Sequence, residues 1–187
     1  MKTKELVMCA LCAAITCVLA PLSLPIGPIP ISLCTFAVML AGTLLGAKWG
    51  FISQLIYVLL GIAGLPVFAG YKAGLGVIMG PTGGYIIAYP ILALLCGFLY
   101  HRFRSSRTGA AKIGVMAAAM VIGTVVLYAV GTAWFCFVAG SNVAAALGLC
   151  VLPFLPGDAL KMAAVAVIVP QLERALSRAG IGETAQA

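Results

Sequence analysis

The segment "FLPGDALKM", residues 154–162, places Asp158, the only aspartate of the 187-residue chain, three positions before Lys161. Positions three apart in a helix share a face, so the two side chains can meet. The pair would offer hydrogen-bond acceptors and donors side by side, which suits a ligand that carries both kinds of group. Ionisable side chains inside apolar membrane segments are costly, so they are usually paired and often functional. In a second interpretation, Asp158 caps the last helix and Lys161 only neutralises it.

The glycine-rich segment "GLGVIMGPTGGY", residues 74–85, is a second candidate. Its first three glycines follow the spacing GxGxxxG and not GxGxxG, no predicted strand precedes them, and no GK[ST] follows. Neither nucleotide-binding motif therefore fits. The segment is either a flexible turn or a loop whose main-chain N–H groups approach a ligand closely. In the second case, Thr82 and Tyr85 stand at its edge.

Two further pairs have helical spacing. Tyr85 and Tyr89 share a face, and they could either wall an apolar ligand or belong to an interfacial aromatic belt. Ala10 and Ala14 form an AxxxA pattern, which lets another helix approach closely, although the pattern is common in alanine-rich helices.

The elements that must position these residues are membrane helices. The chain is 64% hydrophobic and 8% charged, whereas a soluble domain is about half apolar and a quarter charged. The composition therefore predicts an all-α integral membrane protein with a single domain over residues 1–187. The net charge of +7 does not indicate a nucleic-acid partner, because the basic residues lie between apolar blocks and form no nucleic-acid-binding motif. They are typical of topology signals and of contacts with membrane lipid.

The seven cysteines do not indicate a metal site. They lie almost entirely within apolar runs, only Cys9 and Cys12 form a CxxC pair, and the sole histidine, His101, is far away in a basic loop. A zinc site needs about four ligands. We therefore expect the cysteines to be small apolar side chains in helices, with no metal and no cofactor.

Six apolar segments predict six transmembrane helices in one bundle, at roughly residues 5–22, 32–47, 49–64, 84–100, 113–139 and 158–176. The second and third are short and are expected to form a tight helical pair joined near "GAKWG". With the N-terminus in the cytoplasm, most basic residues lie on the inner side, which predicts that both termini are cytoplasmic. The inner set is Lys2, Lys4, Lys48, Arg102, Arg104, Arg107, Lys112, Arg174 and Arg178, and the outer set is Lys72 and Lys161.

The connections on the outer side are long, apolar and rich in glycine and proline: "PLSLPIGPIP", "LPVFAGYKAGLGVIMGPTGG" and "GSNVAAALGLCVLPFLPGD". Exposed loops are usually polar, so these loops predict backbone buried against a pocket and its lid. No serine–histidine couple, HExxH motif or ATP-binding motif is present, so uphill transport would need energy from another protein. A stand-alone facilitator or channel for a small solute, and a membrane enzyme that uses the Asp–Lys pair, stay open as alternatives.

Four segments together are similar to the BioY family. They are "GPIPISLCTFAVMLAGTLLGAKWG", "LLGIAGLPVFAG", "GLGVIMGPTGGY" and "FLPGDALKM", in the family's order and over most of the chain. BioY proteins are the biotin-specific substrate-binding (S) components of energy-coupling factor (ECF) transporters in prokaryotic membranes. The resemblance implies a six-helix bundle in the cell membrane, high-affinity capture of biotin near the outer face, no enzymatic activity, and a partner module of one transmembrane coupling protein and two ATPases.

The resemblance also implies roles for individual residues. Asp158 and Lys161 would line the biotin pocket. Our own hypothesis is that Asp158 accepts from the ureido N–H groups, while Lys161 orients that acid or donates to a ligand oxygen. Ala10 and Ala14 would meet the coupling protein. The loop that closes over the ligand would include Gly80, Pro81, Thr82, Gly83, Gly84 and Tyr85.

The chain departs from the family pattern at two places. Cys34 stands where the family usually has glutamine, which leaves Thr35 as the polar residue there, and Tyr71 and Lys72 interrupt a stretch that is often rich in glycine. These positions are where we expect this site to differ from that of other members.

Overall fold

A computed structural model of the chain describes residues 3–24, 29–104 and 109–179. Within these residues the chain forms seven helices and one antiparallel two-stranded hairpin, which pairs Ser23 with Ser32. The elements are α1 (Thr3–Leu19), β1 (Ser23–Leu24), β2 (Ile31–Ser32), α2 (Cys34–Ile62), α3 (Leu75–Met79), α4 (Gly83–Phe103), α5 (Ala110–Ala139), α6 (Val143–Cys150) and α7 (Leu155–Arg178). The predicted all-α class is confirmed. Some residues used in the sequence-based predictions lie outside the described residues: Lys2 and Arg107 of the charge pattern, and residues 180–187 of the predicted domain.

The short helices predicted at 32–47 and 49–64 are the two arms of α2, which folds back on itself at Gly46. Gly46 has a φ of +81°, a conformation that glycine adopts readily. A Cβ on Gly50 would lie 2.9 Å from the Cα of Gly42, although residues eight apart in a straight helix are separated by about 12 Å. The Sγ of Cys34 also lies 3.8 Å from the hydroxyl of Tyr57. α2 is therefore a helical hairpin, as predicted.

Six separate transmembrane helices are not confirmed. Among the described residues, four helices are long and apolar enough to cross a membrane: α2, α4, α5 and α7. α1 has 17 residues, fewer than the roughly 20 that a full crossing usually needs. α2 is among the four by its full length of 29 residues, although its helical backbone is interrupted at Gly46. The remaining helices, α3 and α6, are short and occupy segments that the sequence predicted as outer connections.

α4 is the central helix of the bundle. It packs against α2 on one side and α5 on the other, while α1 packs on α2 and α7 contacts both α2 and α5. The contact between α4 and the α2 hairpin is close because it is formed by small residues. A Cβ on Gly97 would lie 2.4 Å from the carbonyl carbon of Gly46, and a Cβ on Gly42 would lie 2.4 Å from the oxygen of Ala93.

The charged residues of α7 gather at its two ends. Near its C-terminal end, Glu173 forms ion pairs with Arg104 and with Lys112, the latter at 2.6 Å, and accepts a hydrogen bond from Tyr100 at 3.1 Å. Asp158 lies at the other end, fifteen residues earlier, which is about 22 Å along the helix. The bundle therefore has two polar ends separated by apolar turns.

Candidate functional site

A cavity of about 370 Å³ lies at the end of the bundle where α7 begins. This volume is in the range of small-molecule sites. Its walls come from α2, α4, α5 and α7 and from the segments around the β hairpin and α3. Six of the residues predicted from the sequence line it: Thr35, Thr82, Tyr85, Tyr89, Asp158 and Lys161.

Thr35, Asp158 and Lys161 form a closed triangle of hydrogen bonds. The Lys161 ammonium donates to Asp158 Oδ1 at 2.9 Å and to the Thr35 hydroxyl at 3.0 Å, and that hydroxyl donates to the same Oδ1 at 3.0 Å. Asp158 and Lys161 are 3% and 8% exposed, respectively. Because a buried charge is tolerated only when it is paired and hydrogen-bonded, the triangle accounts for the two ionised groups in an apolar wall.

Asp158 is not a capping residue. The N-cap position of α7 is Phe154, and no side chain caps the helix. The backbone N–H of Asp158 is already bonded to the oxygen of Phe154 at 2.8 Å, which places Asp158 in the first turn. A carboxylate there is favoured by the positive end of the helix dipole. The interpretation of Asp158 as a helix cap is therefore wrong, and its carboxylate is turned toward α2 and α5.

Tyr128 of α5 completes the surroundings of the carboxylate. Its hydroxyl donates a short hydrogen bond to Asp158 Oδ2, and the residue lines the cavity. Tyr128 was not predicted as a site residue from the sequence. It lies in the middle of a long apolar helix and has no charged or glycine-rich neighbours that would distinguish it. The signal available was a tyrosine within an apolar segment, since a buried hydroxyl needs a partner.

The remaining hydrogen-bonding capacity of the pair is small and can be counted. A carboxylate has about four acceptor positions, and Asp158 uses two on Oδ1 and one on Oδ2, so about one acceptor position stays open. The ammonium of Lys161 has three N–H donors, and two of them are used within the triangle. The site thus presents one acceptor beside one donor, without net charge. It is complementary to a neutral group that has an N–H next to a C=O.

An aromatic wall stands beside this polar end. Tyr57, Phe68 and Tyr89 all line the cavity. The ring centroids of Tyr57 and Phe68 are 5.8 Å apart, and those of Tyr57 and Tyr89 are 6.4 Å apart. Cys34, which also lines the cavity, is almost fully buried against Tyr57. An apolar body can pack on this wall while its polar end reaches Asp158 and Lys161.

The predicted loop residues divide into two groups. Gly80, Pro81, Thr82 and Tyr85 line the cavity, but Gly83 and Gly84 are not among the lining residues. These two glycines are buried, and a Cβ on Gly84 would lie 2.2 Å from the Cβ of Trp134. The indole N–H of Trp134 donates to the oxygen of Gly80 at 3.0 Å. Gly84 therefore lets α4 pack against α5, Gly83 lets α4 approach the backbone of Ile78 in α3, and the indole fixes the end of the loop.

The mouth of the cavity carries a narrow turn that includes Tyr71 and Lys72, the second departure from the family pattern. The N–H of Phe68 donates to the oxygen of Lys72 at 3.0 Å, and these residues form a β-bridge. Within the turn, Gly70 and Tyr71 have φ values of +69° and +60°. Lys72 lines the cavity and is exposed, so it lies at the rim.

Ala10 and Ala14 lie away from the cavity. Both are exposed on α1, together with Leu6, Val7, Leu11 and Val18, so this face of α1 is turned outward from the bundle. Among the described residues, no group of three or more His, Cys, Asp and Glu side chains comes together as metal ligands would.

Comparison with known proteins identifies relatives over nearly the whole chain. The model of the BioY family matches residues 1–178. A probable biotin transporter BioY of Pyrococcus horikoshii is 43% identical over 173 residues, which cover 92% of this chain and 98% of the relative. The biotin transporter BioY2 of Lactococcus lactis is 36% identical, with 94% and 93% of the two chains covered.

A solved structure is similar as well. The crystal structure of an S-component for biotin from an ECF-type ABC transporter matches with a TM-score of 0.83 and 32% identity, over 92% of each chain. Both the structural match and the family match span most of the chain. The resemblance seen in the sequence motifs is thereby confirmed, and the chain belongs to the BioY family.

Proposed function

We propose that this protein is the biotin-binding S component of an ECF-type importer. The observation that carries the proposal is the neutral acceptor–donor pair of Asp158 and Lys161 in a cavity of suitable size, in a chain of the BioY family. Its relatives are transporters of biotin by name. The chain is accordingly a transporter and not an enzyme.

The chemistry of biotin fits the cavity. Its ureido group has N–H donors next to a carbonyl acceptor, which match the open acceptor position on Asp158 and the third N–H of Lys161. Its fused ring and aliphatic chain are apolar and would pack on Tyr57, Phe68 and Tyr89. Thr35 and Tyr128 would hold the carboxylate in place, while Thr82 and Tyr85 would stand at the edge of the loop that closes the site. In this proposal, Gly83 and Gly84 position that loop through their packing against Ile78 of α3 and Trp134 of α5, respectively.

The proposed arrangement in the membrane has six crossing segments in a single domain. They are α1, the two arms of the α2 hairpin, α4, α5 and α7. The cavity would face outward, and both termini would lie in the cytoplasm of a prokaryotic cell. The proposal is supported by the cluster of Arg104, Lys112 and Glu173 at the end of the bundle opposite the cavity, because basic residues favour the inner side.

The partners would be a transmembrane coupling protein and two ATPase subunits. The chain has no ATP-binding motif, so the energy for uphill transport must come from other subunits. The exposed alanines Ala10 and Ala14 make α1 the proposed contact with the coupling protein. Apolar side chains exposed elsewhere, such as Val125 and Phe137 of α5, would contact membrane lipid.

The direct test is calorimetric titration of the detergent-purified protein with biotin, with thiamine and riboflavin as controls. We expect biotin alone to bind. Uptake into liposomes that contain only this protein would instead favour a stand-alone facilitator, and a chemical change of the bound ligand would favour an enzyme. Absence of biotin binding would contradict the proposal.

A further inference from the structure

Lys72 is held at the mouth of the cavity by its backbone. Its carbonyl accepts the hydrogen bond from Phe68, and the turn between them has two residues at positive φ. The Tyr71 backbone is in the left-handed conformation, which glycine adopts freely and other residues adopt rarely. The turn nevertheless places Lys72 on the cavity rim. A lysine side chain with a flexible four-carbon stem can reach a group at the mouth from there.

The charges that line the cavity do not balance. The lining contains three charged residues, Lys72, Asp158 and Lys161. Asp158 and Lys161 neutralise each other at 2.9 Å. Lys72 forms no ion pair with any residue that the structure describes. The lining thus carries one positive charge that no described residue compensates.

The rest of the chain offers this lysine no described partner. The chain has only four acidic residues. Glu173 lies in the ion cluster at the opposite end of α7, and Glu5 lies about 22 Å before the end of α1 that approaches the mouth. Glu183 lies outside the described residues. The segment between β1 and β2 that is not described, residues 25–28, reads Pro-Ile-Gly-Pro and has no carboxylate.

We infer that Lys72 binds the carboxylate of the ligand, so that the cavity selects a monoanion with a neutral hydrogen-bonding head. This inference rests on the proposed function. For biotin it fixes the orientation: the ureido group lies inside at Asp158 and Lys161, and the carboxylate of the side chain lies at the mouth. The reverse orientation would bring a second carboxylate beside Asp158, where the single ammonium of Lys161 is already paired.

The experiment compares biotin with its methyl ester, which keeps the ureido head and the ring but has no negative charge. We expect the wild-type protein to prefer biotin by about three- to tenfold, as is typical of an exposed or partly buried charge pair. Lys72→Gln should bind both compounds equally, with the affinity for the ester unchanged. Lys72→Arg should keep the preference. Raising the salt concentration should weaken biotin binding to the wild type but not to Lys72→Gln, because the interaction is screened.

The matched control is Lys48→Gln, the same change at an exposed lysine beside the Gly46 turn, at the other end of the bundle. It should retain the wild-type preference. If Lys72→Gln keeps the wild-type ratio, or weakens both compounds equally, the inference is overturned while the proposed function stands. If the wild-type protein binds neither compound, the proposed function fails and the inference fails with it.

Discussion

Asp158 of α7 accepts hydrogen bonds from two helices that are distant in sequence and from its own helix. Thr35 belongs to α2, Tyr128 to α5 and Lys161 to α7. A single carboxylate therefore ties together three walls of the cavity. Each of these bonds has an ionised partner, and such bonds are about twice as strong as bonds between neutral groups. The residue is thus part of the proposed ligand site and also of the packing that shapes it.

Asp158→Asn should impair both binding and stability. The change leaves the Lys161 ammonium buried without a counter-charge, and breaking one partner of a buried pair costs about 3–5 kcal/mol. We expect biotin affinity to fall by at least about tenfold, because one charge-assisted hydrogen bond is lost. Titration calorimetry would measure the affinity, and thermal unfolding in detergent would measure the stability.

The double variant Asp158→Asn/Lys161→Met separates the two effects. It removes the unpaired charge, so part of the stability should return, while biotin affinity should stay low because both polar contacts are gone. Glu5→Gln, which removes an acid far from the cavity, is the matched control and should bind normally. Near-normal affinity in Asp158→Asn would contradict the role of this residue in binding.

At the residue level, the sequence predicted the charged centre but not its surroundings. Asp158 and Lys161 stand out because charges are rare in this chain, and Thr35 follows from the family motif. Tyr128, Tyr57 and Phe68 could not be found in this way, since aromatic residues in apolar helices are usually packing or lipid contacts. Their convergence on the cavity depends on helix rotation, which a uniformly apolar helix does not reveal.

At the scale of elements, the hairpin of α2 depends on glycines that have no room for a side chain. The Gly46 turn packs directly against Gly97 of α4. This contact fixes the turn to the central helix, and so positions the arm of α2 that carries Thr35. Small residues allow two backbones to approach at a distance that larger ones forbid.

Gly97→Ala should therefore destabilise the bundle. Its Cβ would lie 2.4 Å from the Gly46 carbonyl carbon and 2.5 Å from the Ala47 nitrogen. Because these are backbone atoms, relief requires the helices to separate, and overpacking of this kind costs about 1–3 kcal/mol. Thermal or denaturant unfolding in detergent would show the loss.

The control for this change is Gly114→Ala on α5, where an added Cβ meets nothing within 4 Å. It should leave the stability unchanged or raise it by up to about 1 kcal/mol, because alanine favours helix more than glycine does. Equal stability of the two variants would show that the close packing at Gly97 is not needed.

Helix boundaries were well predicted where the apolar runs were long, and less well in the connections. α4, α5 and α7 each begin and end within three residues of the predicted limits. The β hairpin, α3 and α6 were missed, because their segments are short and rich in glycine and proline. α6 did have a signal, since the side chain of Asn142 accepts from the N–H of Ala145 at 2.8 Å at its start, which is a typical helix cap.

At the scale of the whole molecule, ligand binding and partner binding are assigned to separate surfaces. The cavity lies among α2, α4, α5 and α7. The exposed alanines Ala10 and Ala14 of α1 do not line it. A substitution on one surface should therefore impair the function proposed for it and leave the other function intact.

Ala14→Trp should block assembly with the coupling protein and leave biotin binding intact. A tryptophan on this small-residue face would hold a partner helix at a distance. We expect the variant to bind biotin normally in calorimetry, but to lose co-purification with a tagged coupling protein and its ATPases. Val121→Trp, at an exposed position of α5, is the control and should still assemble. Normal assembly of Ala14→Trp would exclude this face as the contact.

The closed triangle of Thr35, Asp158 and Lys161 also bears on what happens after the cargo has left. Asp158 and Lys161 are already satisfied by each other and by Thr35, so the inner end of the vacant cavity holds no unpaired charge. The positive charge of Lys72 lies at the exposed rim. In the proposed function, departure of the vitamin therefore strands no buried ion, and the same subunit can serve for many rounds of import.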